Sequence, residues 1–398
     1  MHSVLMRSTS LDLTAADVIA DPYPHFSTER RQSPVAWHEA SSRWLTFDHA
    51  SANEVLRERR LGRIWRDKEP VERFEPFNLL HRNQMMENEP PDHTRLRRLV
   101  AGAFARGHIE RLRPRVRTLA GQLLGEVDLA GFDVVRQYAE PLPVLVIAEL
   151  LGVSTELAPQ LRAWSQAIVK MYEAQPSPQD EDAAIGAAQA FATAIREIAR
   201  ERVEHPRDDL ITDLVCAGAS SGSATGSAGL SEDEVVASAV LLLNAGHEAS
   251  VNVFGNGLVS MLAHEISPRP EELSLCVEEM LRFDSALQLF ERTATDDVRI
   301  GGVPVQKGQT IAALLGAANR DPAVFDDADS FLPTRDPNPH LAFGAGIHFC
   351  LGAPLARMEL VESLGHLLLR APKLHLVDEP RPRGTFVLRG HTSVRVGV

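Results

Sequence analysis

Residues Phe343-Gly344-Ala345-Gly346-Ile347-His348-Phe349-Cys350-Leu351-Gly352 put a cysteine at the mouth of an amphipathic helix expected to start near Ala353-Pro354 and run to about Leu369. Unpaired backbone N–H groups at a helix entrance favour the anionic form of a sulfur, and the thiolate is the form that ligates iron. The glycines at 344, 346 and 352 allow the backbone to fold tightly around that sulfur and to approach a flat macrocycle, while Phe343 can shield the thiolate from water. A lone cysteine is more often a small buried hydrophobe, and Cys216 and Cys276 are read that way. For Cys350 the six fixed positions of F-G-x-G-x-H-x-C-x-G argue otherwise. At average composition they coincide by chance on the order of once in 10⁸ windows.

A second set of polar residues sits where none is expected. Ser231 with Glu234 reads as a capping box, and Leu230 can staple to Val235, so a long helix begins there. From Val235 to Ala245 it is apolar on nearly every face and should run through the middle of the protein. Asn244, Gly246, His247, Glu248 and Ser250 then bring polar groups and a glycine into the buried stretch, where each needs a partner or a purpose. A zinc reading of His247-Glu248 fails because Val251 stands where H-E-x-x-H requires its second histidine.

Together these segments resemble the cytochrome P450 family, and the whole chain is similar to its soluble bacterial members. The Cys350 segment looks like the family's haem-ligand signature, which implies haem b (iron protoporphyrin IX) with Cys350 as the axial ligand to iron. Glu279 and Arg282 look like the E-x-x-R pair, implying a buried ion network with Arg335. Pro90-Pro91-Asp92-His93-Thr94-Arg95-Leu96-Arg97 resembles the start of the family's helix beside the haem. By that resemblance His93 and Arg97, with Arg292 and His348, hold the propionates, and buried carboxylates do require charge-assisted donors.

Ala245-Gly246-His247-Glu248-Ala249-Ser250 is similar to the oxygen-binding stretch, usually A-G-x-D/E-T-T/S. The resemblance implies a glycine and a local break in the helix that open a groove for dioxygen, with Glu248 relaying protons for O–O cleavage. One residue departs: Ala249 stands where the family normally has a proton-delivering threonine. Three routes remain open, in which Ser250 or an ordered water replaces the hydroxyl, a substrate hydroxyl completes the relay, or a reaction such as oxidative coupling needs that proton less. The implied function is a monooxygenase that hydroxylates or couples a small, largely apolar, secondary-metabolite-like molecule. A peroxide-driven haem enzyme and a haem-thiolate ligand binder or sensor without turnover are the competing readings. The implied substrate pocket draws on Leu243, Asn244, Leu287, Gln288, Phe290, Val169 and Phe386, with Phe74, Phe77 and Leu80 from a loop before His93.

The elements that must position these residues are mainly helical. Apolar residues recur at three- and four-residue spacing over Ala50 to Arg57, Asp92 to Phe104, Ile109 to Val127, Pro143 to Leu151, Ala158 to Tyr172, Asp180 to Glu204 and Asp208 to Ala217. Hairpins are expected where Val35 to His38 and Trp44 to Phe47 flank a polar turn, over Val298 to Ala312 around Gly301-Gly302, and within Lys373 to Val398. Gly218 to Gly229 reads as a Ser/Gly/Ala-rich surface loop. The expected fold is mainly α with a smaller β part, cytochrome P450-like, with the long central helix over the haem. All 398 residues are read as a single haem-thiolate domain, its β-rich part drawn from about 30–50, 295–312 and 373–398.

Composition bounds the partners. A net charge of −13 argues against a general nucleic-acid binder. Yet Arg95, Arg97, Arg98, Arg106, Arg111, Arg113, Arg115 and Arg117 crowd one short segment, which suits an acidic protein. By the resemblance that partner is a ferredoxin-type electron donor docking on the proximal face. Three dispersed cysteines exclude a disulfide framework and suggest a reducing, cytoplasmic setting. The N-terminal stretch, interrupted by Arg7, Asp12 and Asp17, reads as neither signal peptide nor anchor. The longest apolar run, Val235 to Leu243, is far below the ~20 residues of a spanning helix, so no membrane insertion is expected.

Overall fold

The long helix forms as its cap and composition require. In the computed structural model, which describes residues 7–104, 106–172, 176–219 and 229–398, it runs from Glu232 to Ala263 without interruption. The Ser231 N–H donates to the Glu234 carboxylate at 2.8 Å and the Glu234 N–H donates to Ser231 Oγ at 3.2 Å, so the box closes in both directions. The chain divides into two compact units, one built from Met1–Arg63, Ala120–Ala139 and Ala249–Val398, the other from Ile64–Leu119 and Glu140–Glu248. The long helix gives its first half to the second unit and its second half to the first. Over 220–228 the expected Ser/Gly/Ala loop lies outside the described residues.

The first unit carries the sheets. Six strands lie in the order Ser8–Thr9, Val35–His38, Arg43–Thr46, Thr310–Leu314, Leu289–Ala294, Leu61–Gly62. Val35–His38 and Arg43–Thr46 pair as the expected hairpin, and Val298–Ile300 with Val303–Val305 forms the second around Gly301-Gly302. The interior strand Thr310–Leu314 shows why the sheet is buried on both faces. Ile311 and Ala313 join Val35 and Trp44 in one apolar cluster, whereas Ala312 and Leu314 join Ala36, Leu45, Phe47 and Phe386 in another. Alternation of side chains along a strand feeds two cores at once.

In the second unit the helices follow the expected spacing, with Pro141–Leu151, Ala158–Val169 and Pro178–Glu204 close to their sequence-based bounds. One helix was not expected: Val71–Arg82 replaces the loop before His93, although Pro76 lies inside it. Its Phe77 and His81 rings stack 4.1 Å apart, and Trp65 stacks on His81 at 4.5 Å. The polar run that follows is held by the Asn88 amide, which donates to the carbonyls of Arg82 and Gln84. Among the described residues no helix is long and apolar enough to cross a membrane.

Burial also sets a pH dependence. Glu359, within the Ala353–Arg370 helix, has its carboxyl pushed up to about 8 by desolvation. The folded state therefore keeps the proton that the unfolded chain releases near its ordinary value. This contribution is complete below about pH 4.5 and is lost as pH rises to about 8. At about 1.4 kcal/mol per unit the loss reaches up to about 5 kcal/mol. Glu359→Gln is expected to flatten that decline, and urea midpoints at pH 5 and pH 8 measure it.

Candidate functional site

The Cys350 loop is shaped by glycines that no other residue replaces. Gly346, at φ +71°, lies so close to the Leu56 carbonyl that a Cβ there would fall 2.3 Å from its oxygen. Gly344, at φ +68°, places the position of a Cβ 3.3 Å from the Phe290 ring. Both turns are left-handed, and together they curl the loop until the Cys350 N–H donates to the Phe343 carbonyl at 2.9 Å. A short turn of 3-10 helix, Gly346–His348, precedes the cysteine, and Gly352 caps the following helix, Ala353–Arg370. Cys350 is exposed, as are Ile347 and Phe349 on the same loop.

The other two cysteines differ. Cys276 is buried, with its thiol pushed up to about 12 first by desolvation and then by Glu279 and Glu272, so it is inert at neutral pH. Cys216 is exposed rather than buried, which corrects its reading as a core hydrophobe. It sits on the outward side of a helix whose apolar face is carried by Leu210, Ile211 and Leu214.

The first unit also gathers Arg292, Phe290 and the loop. Arg292 is buried in the Leu289–Ala294 strand, donates to the Glu291 carbonyl at 2.8 Å, and lies 5.8 Å from the centre of the Phe290 ring. Behind the loop the Glu279–Arg282 pair is wholly buried, with both bonds at 2.7 Å, and Arg335 Nε reaches the same carboxylate at 3.2 Å. Three functional candidates escaped sequence reasoning: Glu278, His340 and Arg357. Arg357 grips Glu278 in a bidentate pair at 2.6 and 2.8 Å, and His340 meets it at 3.0 Å. Burial raises the Glu278 carboxyl, but bonds from His340 and Arg357 outweigh it and hold the group at about 2. No spacing signal marked Glu278, since the neighbouring Glu279 already accounted for an acid in that helix.

In the second unit His93 is buried on the first turn of Asp92–Ala101, with half-buried Arg97 one turn further on the same face. Arg95 is spent on Glu234, at 2.5 Å, and Asp92, at 3.4 Å. Arg113 pairs with Glu110 and Arg115 with Glu149. Arg98, Arg111 and Arg117 are exposed.

The long helix carries the clearest feature. From Val235 to Leu258 every residue is buried except Ala245, Gly246 and Ala249, which share one face at i, i+1 and i+4 and bear at most a methyl group. Beside this bare stripe Asn244, His247, Glu248 and Ser250 are buried. His247 Nδ1 lies 3.6 Å from Glu248 Oε1, and Asn244 Oδ1 is buried without a hydrogen-bond partner. The expected break in the helix is absent. Gly246 serves close packing instead, since a Cβ there would come within 3.1 Å of Ile147 Cδ1.

Several expected pocket residues are core. Leu243, Phe77 and Gln288 have no accessible surface, which removes them from any wall. Gln288 donates to the Ser285 carbonyl at 2.6 Å, and Phe386 packs edge-on to Phe26 at 6.2 Å. Phe74, Leu80 and Val169 are likewise buried, whereas Leu287 and Phe290 keep partial exposure.

An exposed cysteine at a helix entrance with apolar side chains exposed beside it fits a large flat apolar group that takes a thiolate ligand. The class these features suit is a helical haem-thiolate protein. A family model for cytochrome P450 matches residues 272–385. The chain is 36% identical to the vitamin D(3) 25-hydroxylase of Pseudonocardia autotrophica, over 97% of this chain and 96% of that one. It is 34% identical to the 6-deoxyerythronolide B hydroxylase of Saccharopolyspora erythraea, over 98% and 99% of the two chains. The crystal structure of P450BioI in complex with an acyl carrier protein ligated to hexadec-9Z-enoic acid superposes with a TM-score of 0.90, at 30% identity, covering 96% of this chain and 100% of that chain. This chain belongs to the cytochrome P450 family. It has the family's fold, is an oxidoreductase of the monooxygenase type, and uses haem b.

Proposed function

We propose that the chain inserts oxygen into, or oxidatively couples, a small, largely apolar natural-product-like molecule, taking electrons from a ferredoxin-type protein. The observation that carries this reading is Glu248, a carboxyl buried beside the bare Ala245–Gly246–Ala249 stripe of an otherwise sealed helix. When bound, haem supplies dioxygen activation. Cys350 would hold its iron through the thiolate, with Phe343 screening the sulfur and Gly344 and Gly352 shaping the loop. His93, Arg97, Arg292 and His348 would meet the propionates, because carboxylates taken out of water need charge-assisted donors. Glu248 holds and passes protons toward the stripe. The Arg-rich segment, in which Arg98, Arg111, Arg115 and Arg117 are exposed, forms the docking face for an acidic donor. An exposed Cys216 and a functional thiolate suit the reducing cytoplasm.

Helix geometry narrows the question posed by Ala249. Ser250 lies about 100° around the axis from Ala249 and is buried, so its hydroxyl leaves on another face from the stripe. A hydroxyl of the substrate, or a water it holds, is the better source. Ala249→Thr is then expected to change coupling with the native substrate by at most about twofold, against the about 10²–10⁴-fold value of a positioned proton donor where nothing else serves. Product formed per electron pair consumed measures it, and a large gain would count against assistance by substrate.

The reading as a whole is tested by the absorption spectrum of the dithionite-reduced protein with carbon monoxide. A strongly red-shifted Soret band is expected if the Cys350 thiolate ligates the iron, and an imidazole-like band would overturn the reading. A ligand binder without turnover, favoured only by Ala249, is separated by substrate-dependent electron consumption.

A further inference from the structure

Two adjacent glutamates leave the Leu273–Phe283 helix in different directions and hold different parts of the first unit. Glu279 is taken up by Arg282, Arg335, Asn338 and the Leu332 N–H. Glu278, about 100° further round, takes no part in that network. Its Oε1 accepts from Arg357 Nε and its Oε2 from Arg357 Nη2, while Oε2 also meets His340 Nε2. The Ala342 N–H donates to His340 Nδ1 at 3.2 Å, which leaves Nε2 as the protonated nitrogen that donates to Glu278. The Arg357 guanidinium lies 4.5 Å from the centre of the Phe343 ring, and the His340 ring lies 6.0 Å from it. Phe343 in turn accepts the Cys350 N–H through its carbonyl. An acid, a guanidinium and an aromatic ring thus form one chain of contacts that ends on the peptide of the cysteine.

This arrangement balances charge as well as holding shape. A guanidinium alone beside a thiolate would favour the reduced, more negative metal centre, and a carboxylate alone would favour the oxidised one. Gripped as a bidentate pair the two form one neutral unit, although each keeps some exposure, at 38% for Arg357 and 23% for Glu278. We infer that Glu278 and Arg357 are positioning residues for the thiolate, fixing the Phe343 ring and setting the reduction potential of the bound haem through their charge balance. The inference rests on the proposed reading that Cys350 would hold the haem iron.

The test is the midpoint potential of the haem-loaded full chain, read by spectroelectrochemistry. Glu278→Gln leaves the guanidinium uncompensated and is expected to move the potential up. Arg357→Gln leaves the carboxylate and is expected to move it down. Each shift should change the ferric-to-ferrous ratio at a fixed potential at least about threefold, or about 28 mV at 59 mV per tenfold for one electron. The double variant restores neutrality and should return to within that margin of the parent, as should Glu278→Asp. A merely structural pair would move both single variants the same way, with no recovery in the double. That result, or no shift in either, overturns the inference. Should Glu278→Gln shed its haem, recovery of haem in the double variant supports charge balance and failure to recover overturns it. A parent protein without the red-shifted carbon monoxide band removes the thiolate assignment and this inference with it, whereas a normal band with unmoved potentials removes the inference alone.

Discussion

Replacing Cys350 by serine is expected to abolish the red-shifted carbon monoxide band and to cut substrate oxidation by more than about a hundredfold. Loss of an outer partner of a metal ligand already costs about 10–100-fold, and this substitution removes the ligand itself. Serine keeps the size of the side chain and leaves the Cys350–Phe343 backbone bond and the left-handed turns at Gly344 and Gly346 in place, so the loop should still form. What changes is the donor, since a hydroxyl at neutral pH neither ionises nor pushes electron density onto iron as a thiolate does. Cys276→Ala is the matched control. Its thiol is sealed in the core and held protonated, so the spectrum should not move even though some stability is lost. An unchanged band in Cys350→Ser would sink the ligand assignment outright.

The residues that bear on chemistry were legible in the sequence where the chain itself enforces the geometry. Ser231 and Glu234 can reach each other only if a helix starts between them, so the cap reads directly from spacing. Gly344 and Gly346 stand at positive φ, and Gly346 also meets a backbone carbonyl, demands that no other residue type satisfies. The β hairpins follow from alternation: Val35–His38 and Arg43–Thr46 each face two apolar clusters, while Val298–Ile300 and Val303–Val305 alternate between one cluster and solvent.

Features that depend on a distant partner were not legible. Pro76 signals a break, but the aromatic stack of Trp65, Phe77 and His81 holds the Val71–Arg82 helix together around it. Gln288 looks like a polar pocket anchor until its hydrogen bond to the Ser285 carbonyl is known. Gly246 suggested an opened helix, and only the presence of Ile147 reveals that the missing side chain serves packing. Glu278 and Glu279 are adjacent and chemically identical, and which network each joins is decided entirely by what the fold sets against the helix.

The second large effect concerns stability. Glu279→Ala is expected to destabilise the haem-loaded protein by about 3–5 kcal/mol, because it strands two buried cations rather than deleting a balanced pair. Its carboxylate accepts from Arg282 at 2.7 Å, from the Leu332 N–H at 2.9 Å, from Asn338 at 3.1 Å and from Arg335 at 3.2 Å. Desolvation already pulls the Arg282 guanidinium below its ordinary value, and the carboxylate is the main counterweight. Without it a charge with no accessible surface has only carbonyl dipoles left to face. An isolated buried pair can often be exchanged for apolar residues at little cost. Here that exchange should fail, because Arg282 also donates to the carbonyls of Asn319, Ala328 and Ser330, and these would be orphaned in a Glu279→Leu, Arg282→Met double variant. Urea midpoints for the parent, Glu279→Ala and the double variant decide between the two views. A double variant as stable as the parent would mean that the pair is dispensable and that the carbonyls find other donors.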